Sequence, residues 1–322
     1  MFNYLTTFLH EEESLALDLS EQLKKNPNKI LKVFFIKIFR QLYRDFQRII
    51  IYPSLREFFK YVEKQFFKSL NTKKINHSEN IKKNSFTIID NIFSQKQIKE
   101  IVKYIKNKKL ISIYTGEKKF TLKNVPKDAS MGYLETETLL NCPHILDRAN
   151  DEKLHKILRG YFGKKYKLDW IWCWWSFPKR KKSVGPQMFH RDYENFNFVK
   201  VFVYLTDTGS RNGSHEVIKS SHRKNKLYSR RRYSIDEIRS NFNKKDIVKI
   251  SGKSGKTFIE NTFAIHRGNV PLEKKRLILC YMFSIVPSRR SPKIPFQKYR
   301  NIKSLFRKKK IDKYLNSLFL EF

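Results

Sequence analysis

Cysteine is scarce in this chain of 322 residues. Only three cysteines occur, Cys142, Cys173 and Cys280, and no two of them form a Cys-x-x-Cys pair. This spacing excludes a zinc knuckle and a disulfide framework, and it is typical of proteins in a reducing compartment. Because Cys173 and Cys280 lie inside apolar runs, we expect buried thiols.

Long uncharged apolar runs are missing as well. A membrane-spanning helix needs about 20 consecutive apolar residues, and no stretch of the sequence approaches that length without a charge. The first residues carry neither the basic region nor the cleavage site of a signal peptide. We therefore expect no signal peptide and a cytoplasmic protein.

Acidic residues are few. Asp and Glu number 30 against 68 Lys and Arg, so the net charge is +38. A field of this sign favours polyanionic partners such as nucleic acid, an anionic membrane, or a phosphorylated or sulfated substrate. Codon bias in an AT-rich genome is the alternative explanation, since Lys, Asn, Ile and Phe are all abundant. With 40% hydrophobic and 15% aromatic residues, the chain has enough apolar side chains for a core.

Residues 1–84 predict a helical extension that ends in a polar, aperiodic linker at 71–84. Between residues 30 and 66, apolar side chains recur at helical spacing, and basic side chains line the opposite face of the first helix. A basic amphipathic pair over residues 30–68 suits an anionic membrane surface. Packing of the apolar stripe on the main domain is the more common origin of such a pattern. The stripe of the second helix consists of Leu55, Phe59, Val62 and Phe66.

From about residue 85 the pattern changes from helical to β. Short apolar runs separated by turn signals favour a sandwich or barrel. We expect this β domain to span residues 85–287 and to be followed by a basic tail at 288–322. Strands are predicted at 86–90, 168–177, 198–206, 216–218, 247–250, 257–260 and 277–284, and helix-capping boxes at Ser94 with Gln97 and at Ser234 with Glu237.

Two motifs supply two imidazoles and one carboxylate: His190-Arg-Asp192, and His266 in a later predicted strand. Side chains two apart on a strand point to the same face, so His190 and Asp192 can reach one ion. Two His and one carboxylate leave coordination positions open, as in the facial triad of non-haem Fe(II) oxygenases, whereas zinc sites usually close more of the shell. Arg276 begins the next strand, and an adjacent antiparallel strand would return its guanidinium to the metal, where it suits a carboxylate.

A glycine- and lysine-rich stretch, Ser251-Gly-Lys-Ser-Gly-Lys-Thr257, is similar to a phosphate-binding loop. That motif needs Gly at the position of Ile250, and here a strand follows instead of a helix. We therefore expect a hairpin turn at 251–257 without phosphate chemistry.

Five segments together resemble the phytanoyl-CoA dioxygenase-like (PhyH) family of Fe(II)/2-oxoglutarate-dependent oxygenases. The resemblance runs from about Phe86 to Ile285 and leaves out residues 1–80 and the tail. The order and spacing of the segments make it specific. They are Phe86–Ser94, Gln187–Asp192, Lys200–Asp207, Asn212–His222, and Asn261–Gly268 with Arg276.

The resemblance implies a mainly β fold with flanking helices, whose core is a double-stranded β-helix, or cupin-like jelly-roll. It implies His190, Asp192 and His266 as iron ligands, and Arg276 as the clamp on the far carboxylate of 2-oxoglutarate. O₂ is the other co-substrate, and hydroxylation of an aliphatic C–H bond is the expected outcome. Halogenation is disfavoured because Asp192 is present. Further candidates for co-substrate contacts are Gln187 and Phe202.

The residue between the first two ligands departs from the family pattern. Arg191 stands where the family often has Gln or Thr, and on a regular strand it would point away from the metal. His215 and His222, which follow the central strand, are predicted to be structural. Of the tryptophans in the strand 168–177, alternation sends Trp170, Trp172 and Trp174 to one face and Trp175 to the other.

A basic insert (residues 223–232) follows Ser221-His222 and contains six Lys and Arg residues. In this architecture such inserts often border the active-site mouth. We hypothesise that it recruits a small anionic substrate that is phosphorylated, sulfated or CoA-linked, and a solvated surface loop is the alternative. The competing function is a non-enzymatic protein that binds nucleic acid or an anionic membrane. Against nucleic acid, no binding module occurs, and aromatic residues do not alternate with the basic runs.

Overall fold

The computed structural model describes residues 41–43, 45–66, 75–113, 118–178, 183, 185–286, 312 and 314–317. Two antiparallel sheets face each other across a cavity, and helices pack on the outside of the larger sheet. The predicted jelly-roll with flanking helices is confirmed. Predictions for residues 1–40, and for the basic tail from 288 to 311, concern parts of the chain outside the described residues.

Most of the predicted strands form within one or two residues of their expected bounds. Both capping boxes are present, with each Ser side chain accepting a hydrogen bond from the backbone N–H three residues later. Residues 41–43 and 45–49 are also helical. The labelled elements are α1 (Pro53–Phe66), α2 (Asn76–Asn84), β1 (Phe86–Ile89), α3 (Gln95–Ile105), β2 (Leu110–Ser112), β3 (Lys118–Phe120), β4 (Met131–Tyr133), α4 (Thr136–Leu140), α5 (Ile145–Ala149), α6 (Glu152–Phe162), β5 (Lys167–Ser176), β6 (Phe198–Tyr204), β7 (His215–Ile218), α7 (Ile235–Asn241), β8 (Ile247–Ile250), β9 (Thr257–Glu260), β10 (His266–Gly268) and β11 (Arg276–Ser284).

The large sheet has the strand order β1-β9-β6-β11-β5-β4-β2-β3, and the small sheet has the order β10-β7-β8. Alternation along β5 shows how the large sheet divides its two faces. Trp175 packs in the main core under the helices, whereas Trp172 and Trp174 line the cavity between the sheets. The predicted division of the tryptophans is therefore confirmed for these three. All three cysteines are buried free thiols.

The predicted linker at 71–84 is wrong for residues 76–84, which form α2. Its sequence is polar, but Ile81 and Ser78 are fully buried. Ser78 lies so close to Gly160 of α6 that a Cβ on that glycine would meet its hydroxyl oxygen at 2.8 Å. Tertiary packing against α6 therefore stabilises a helix that the local sequence does not favour.

The stretch 251–257 forms turns, but the predicted hairpin is wrong. The strand before it, β8, pairs with β7, and the strand after it, β9, pairs with β6 and β1. The stretch therefore crosses from the small sheet to the large one. Ser254 is fixed there by a backbone hydrogen bond to the Asp207 carboxylate, 2.9 Å long.

The two N-terminal helical stretches pack on the barrel through buried polar side chains as well as aromatic ones. Arg56 is fully buried and donates to the backbone carbonyls of Gln47, Ile50 and Asn195. Glu63 is buried as well and accepts from Tyr43, Gln47 and Asn197. The interpretation that the whole apolar stripe packs inward is wrong for Leu55 and Val62, which are exposed, although Phe59 stacks on Phe196 and Phe66 reaches the core.

None of the helices among the described residues is both long enough and apolar enough to cross a membrane.

Candidate active site

Backbone pairing brings the two predicted metal motifs together. His190 and His266 form an isolated antiparallel bridge in which each N–H donates to the other's carbonyl at 3.0 Å. Asp192 N–H donates to the carbonyl of Thr262 at 2.9 Å. We expected the His190–Asp192 motif to lie in a regular strand. It lies instead in the segment between β5 and β6, which is held against the start of β10.

His190, Asp192 and His266 offer ligand atoms that all lie within 4.8 Å of one another. Each His Nε2 lies 3.5 Å from one oxygen of the Asp192 carboxylate. The Nδ1 atoms hydrogen-bond to the backbone carbonyls of Met188 and Ala264, at 2.8 and 2.9 Å. A carbonyl accepts only, so in the neutral imidazole each Nδ1 carries the proton and each Nε2 has a lone pair for a metal ion. Among the described residues, no other group of His, Cys, Asp and Glu has this spacing.

The protonation states of the candidate ligands suit metal binding. Burial raises the pKa of Asp192, but nearby positive charge, chiefly the Lys200 ammonium, outweighs burial and holds the pKa well below its usual range. Burial lowers the pKa of His266 to about 3. The carboxylate is therefore ionised and the His266 imidazole is neutral near pH 7, which is the protonation state that a metal ligand needs. Lys200 Nζ lies 2.7 Å from Asp192 Oδ2, and this contact raises the pKa of the lysine.

The buried carboxyl group of Glu260 lies near the Nδ1 side of the His266 imidazole. Glu260 is fully buried, and its carboxyl group lies 2.6 Å from His215 Nε2 and 3.9 Å from His266 Nδ1. The His215 ring stacks on the His266 ring with centroids 5.5 Å apart. Burial raises the pKa of Glu260 to about 7 and lowers that of His215 to about 3. This pair confirms His215 as a structural histidine, with the addition that it fixes the plane of a candidate ligand.

Arg276 reaches the same cavity from the opposite sheet. Its guanidinium donates to the Gly213 carbonyl and to Ser176 Oγ, the latter at 3.0 Å. Gly268, in β10, leaves room for it, since a Cβ there would meet Nη2 at 2.9 Å. We expected Arg276 to lie on a strand adjacent to β10, but β11 belongs to the large sheet and the guanidinium spans the gap between the sheets. Arg276 is fully buried, and its Nε has no hydrogen-bond partner among the described residues.

One cavity of about 220 Å³ contains all of the predicted site residues. Phe202 stacks on Phe258 at 5.0 Å and lies 5.1 Å from the ring of His215, so it forms an apolar wall beside the triad. Gln187 is buried in a short 3₁₀ turn at the rim. A larger surface hollow of about 670 Å³ between α6 and the residues Asp312, Tyr314 and Leu315 contains no metal-binding cluster of described residues. The predicted site residues that line the smaller cavity are Gln187, His190, Asp192, Phe202, His266 and Arg276.

Arg191 points away from the metal cluster, as predicted. Its guanidinium is buried and donates to the backbone carbonyls of Phe263, Leu227 and Lys226. Leu227 and Lys226 lie in the basic insert. Arg191 therefore ties that insert to the strand connection that carries the metal motif, and Arg232 at the end of the insert lines the cavity.

The family model for phytanoyl-CoA dioxygenase (PhyH) matches residues 81–269, which is more than half of the chain. The chain belongs to the phytanoyl-CoA dioxygenase family. It is therefore an iron- and 2-oxoglutarate-dependent oxygenase, with O₂ as the usual second co-substrate.

A comparison with curated protein sequences found no match.

Solved structures with a similar fold include three proteins at 10–12% sequence identity. The epimerase SnoN from nogalamycin biosynthesis has a TM-score of 0.49 over 65% of this chain and 79% of that chain, at 12% identity. HygX from Streptomyces hygroscopicus, with nickel, 2-oxoglutarate and hygromycin B bound, has 0.48 over 69% and 91%, at 12% identity. The carbocyclase SnoK from nogalamycin biosynthesis has 0.47 over 67% and 85%, at 10% identity.

The donor atoms of this member of the phytanoyl-CoA dioxygenase family fit Fe(II). Two imidazole nitrogens and one carboxylate oxygen are the donor set of the facial triad. Both imidazoles are held by backbone carbonyls on their other nitrogen, as metal-ligating histidines usually are. The unpaired Nε of Arg276 leaves a buried donor in the same cavity for the carboxylate of a co-substrate.

Sequence reasoning missed three polar side chains of the site. Lys200 lies in the middle of an apolar strand, and its inward direction could have been inferred from alternation along β6. Glu260 at the end of β9 contacts residues far away in sequence, and no local pattern indicates that contact. The hydroxyl of Ser176, which accepts from Arg276, is likewise reached only through the pairing of β5 with β11.

Proposed function

We propose that this oxygenase hydroxylates an aliphatic C–H bond of a small anionic molecule, with His190, Asp192 and His266 holding the iron. The main support for this proposal is that the triad and the buried Arg276 line the same cavity. Iron bound there, together with 2-oxoglutarate and O₂, supplies the oxidation. In the overall reaction R–H, 2-oxoglutarate and O₂ give R–OH, succinate and CO₂.

The residues of the chain bind and orient the reactants. Arg276 pairs with the far carboxylate of 2-oxoglutarate, because its guanidinium is fixed by Gly213 and Ser176 and has an unused donor. Phe202 packs beside the co-substrate, and Gln187 supplies a polar contact at the rim. Orientation of this kind contributes strongly to rate, since displacements of about 1 Å can cost about a hundredfold.

An anionic substrate is supported by the cations around the cavity. Lys200 lies in its wall, with its ammonium 5.0 Å from the centre of the Trp172 ring. Arg232 of the basic insert lies at its edge. The volume of about 220 Å³ suits a small molecule or one end of a longer one. Phosphorylated, sulfated and CoA-linked compounds all meet these conditions, and Trp172 and Trp174 offer an apolar surface for the carbon skeleton.

The ligand roles are tested by titrating the protein with Fe(II) and 2-oxoglutarate without oxygen. A metal-to-ligand charge-transfer band is expected in the wild type, and decarboxylation of 2-oxoglutarate when O₂ is added. His190→Ala and Asp192→Ala should lose both signals. His144→Ala is the matched control, because His144 pairs with Glu100 outside the cavity. A wild type without the band, or full decarboxylation by His190→Ala, would contradict the proposal.

The substrate class is tested with a panel of phosphorylated, sulfated and CoA-linked aliphatic compounds and their neutral analogues. A substrate stimulates 2-oxoglutarate consumption above the uncoupled rate and yields a product heavier by one oxygen atom. We expect stimulation by anionic members and little by the neutral analogues. Equal stimulation by both groups would exclude the anionic part of the proposal and leave the iron chemistry intact.

A further inference from the structure

The N-terminal helical stretches carry an unusual distribution of side chains. In α1 the residues buried against the barrel include Arg56 and Glu63, whereas Leu55, Phe58 and Val62 are exposed. A helix on a water-facing surface normally has the reverse arrangement. Arg56 and Glu63 are satisfied inside by hydrogen bonds, whereas Leu55, Phe58 and Val62 are directed away from the protein.

The exposed apolar side chains are concentrated in this region. Among the described residues, thirteen large apolar side chains are exposed, and eight of them lie between residues 42 and 62. Ile49 is 70% exposed and Leu42 is 62% exposed. Single exposed apolar residues need no explanation, but a cluster of this size marks an interaction surface. We call this cluster the apolar face, and its main members are Leu42, Ile49, Leu55, Phe58, Tyr61 and Val62.

The basic insert lies directly beside the apolar face. Ser54 N–H at the start of α1 donates to Asn225 Oδ1 at 3.2 Å, and the Tyr52 ring contacts the Tyr228 ring at 5.0 Å. The insert carries six Lys and Arg residues and no acidic residue. Arg223 and Arg230 are among its exposed cations. Exposed apolar and tyrosine side chains next to a run of cations are the composition of a surface that binds an anionic lipid bilayer.

We propose that the apolar face and the basic insert together dock the protein on an anionic membrane, with the mouth of the cavity beside the lipid surface. The charge of the insert complements anionic headgroups, and the apolar side chains enter the boundary between headgroups and acyl chains. The mouth is included because Arg232 belongs to both the insert and the cavity wall. Arg191 and Tyr193, on either side of Asp192, donate hydrogen bonds to backbone carbonyls of the insert, so the proposed docking surface and the active site are directly connected.

The test measures sedimentation of the full chain with phosphatidylcholine vesicles, with and without phosphatidylserine. Iron and 2-oxoglutarate are omitted, so the result does not depend on the proposed reaction. The wild type is expected to bind phosphatidylserine vesicles at least about tenfold more strongly than phosphatidylcholine alone. Arg223→Glu with Arg230→Glu should abolish most of this difference. Leu55→Ser with Phe58→Ser should weaken binding by about tenfold or more.

Two control variants make the same kinds of substitution at sites outside the apolar face and the basic insert. Ile88→Ser with Leu272→Ser removes two apolar side chains that are 42% and 53% exposed elsewhere. Lys96→Glu with Lys99→Glu makes the same change of net charge on α3. Both controls should bind like the wild type, and circular dichroism and melting temperature should show that every variant is folded.

The proposal is overturned by any of three results. The first is a wild type that does not sediment with phosphatidylserine vesicles. The second is a Leu55→Ser, Phe58→Ser variant that binds as well as the wild type. The third is a light-scattering mass showing that the wild type is an oligomer that this variant dissociates, because the apolar face would then be an interface between copies of the chain.

Discussion

Gly268 has no side chain, and this leaves space for the guanidinium of Arg276. The guanidinium of Arg276 passes over this glycine, with Nη2 2.9 Å and Nη1 3.2 Å from the position a Cβ would occupy. Real Cβ atoms essentially never come as close as 2.9 Å to another side chain. The guanidinium could move aside only by giving up its hydrogen bonds to Gly213 and Ser176. Gly268 thus positions the guanidinium that we propose as the clamp on 2-oxoglutarate.

Gly268→Ala should therefore weaken 2-oxoglutarate binding without unfolding the protein. The added methyl group displaces the guanidinium, and we expect the dissociation constant for 2-oxoglutarate to rise by about tenfold or more. The charge-transfer band of the Fe(II) complex reports this constant directly. Gly209→Ala is the control, because a Cβ at that position would meet nothing within 4 Å. Equal 2-oxoglutarate affinity in both variants would show that Arg276 is not the clamp.

Single residues also explain how much of the site the sequence could predict. His190, Asp192, His266 and Arg276 were predictable because a metal triad and its arginine have a recognisable order and spacing. The ion pair of Asp192 with Lys200 was not predictable, since it forms between a loop and a strand interior. Contacts of that kind follow from strand register, which is set by the packed sheets and not by any local pattern.

At the scale of elements, the local sequence patterns that predicted helices and strands correctly are those with a strong physical cause. The two capping boxes satisfy backbone donors at the helix start, so α3 and α7 begin where the sequence indicates. Strands β8 and β9 have the predicted bounds because turn residues flank short apolar runs. Helix α2 and the crossing at 251–257 were mispredicted because each depends on a partner far away in sequence.

The contact between α2 and the turn that follows β7 gives a pH-dependent stability. His222 is buried, and its Nε2 donates to the Lys82 carbonyl at 3.0 Å. Burial, assisted by Lys60 and Arg223 and opposed by Glu57, lowers the pKa of His222 to about 3. The folded protein therefore holds this imidazole neutral, whereas the unfolded chain protonates it near pH 6.5.

The stability contributed by the neutral His222 is complete above about pH 6.5 and is lost as the pH falls toward 3, because only the unfolded chain takes up the proton. At pH 5 the loss should be about 2 kcal/mol. Urea unfolding of wild type and of His222→Gln, at pH 7.5 and pH 5, measures it. The wild type should lose about 2 kcal/mol more than the variant between these pH values. Equal losses would mean that His222 titrates normally.

At the scale of the whole molecule, the site joins the two sheets of the jelly-roll. His266 belongs to the small sheet, Arg276 to the large sheet, and His190 and Asp192 to the segment between β5 and β6. Asp192 pairs with Lys200, and the Nε of Arg276 has no hydrogen-bond partner among the described residues. A metal ion and a dicarboxylate that bind this set together would connect all three parts of the barrel.

Binding of metal and 2-oxoglutarate should therefore stabilise the whole fold, because both bind the native state and not the unfolded chain. At concentrations about a hundredfold above the dissociation constants, each ligand adds about 2.7 kcal/mol, which corresponds to a rise of several degrees in melting temperature. Mn(II) in place of Fe(II) allows the measurement in air, and a chelator should reverse the shift. Arg276→Met should keep the shift caused by Mn(II) alone and lose the additional shift caused by 2-oxoglutarate. Asp192→Ala should lose both, and an undiminished shift in that variant would place the metal elsewhere in the molecule.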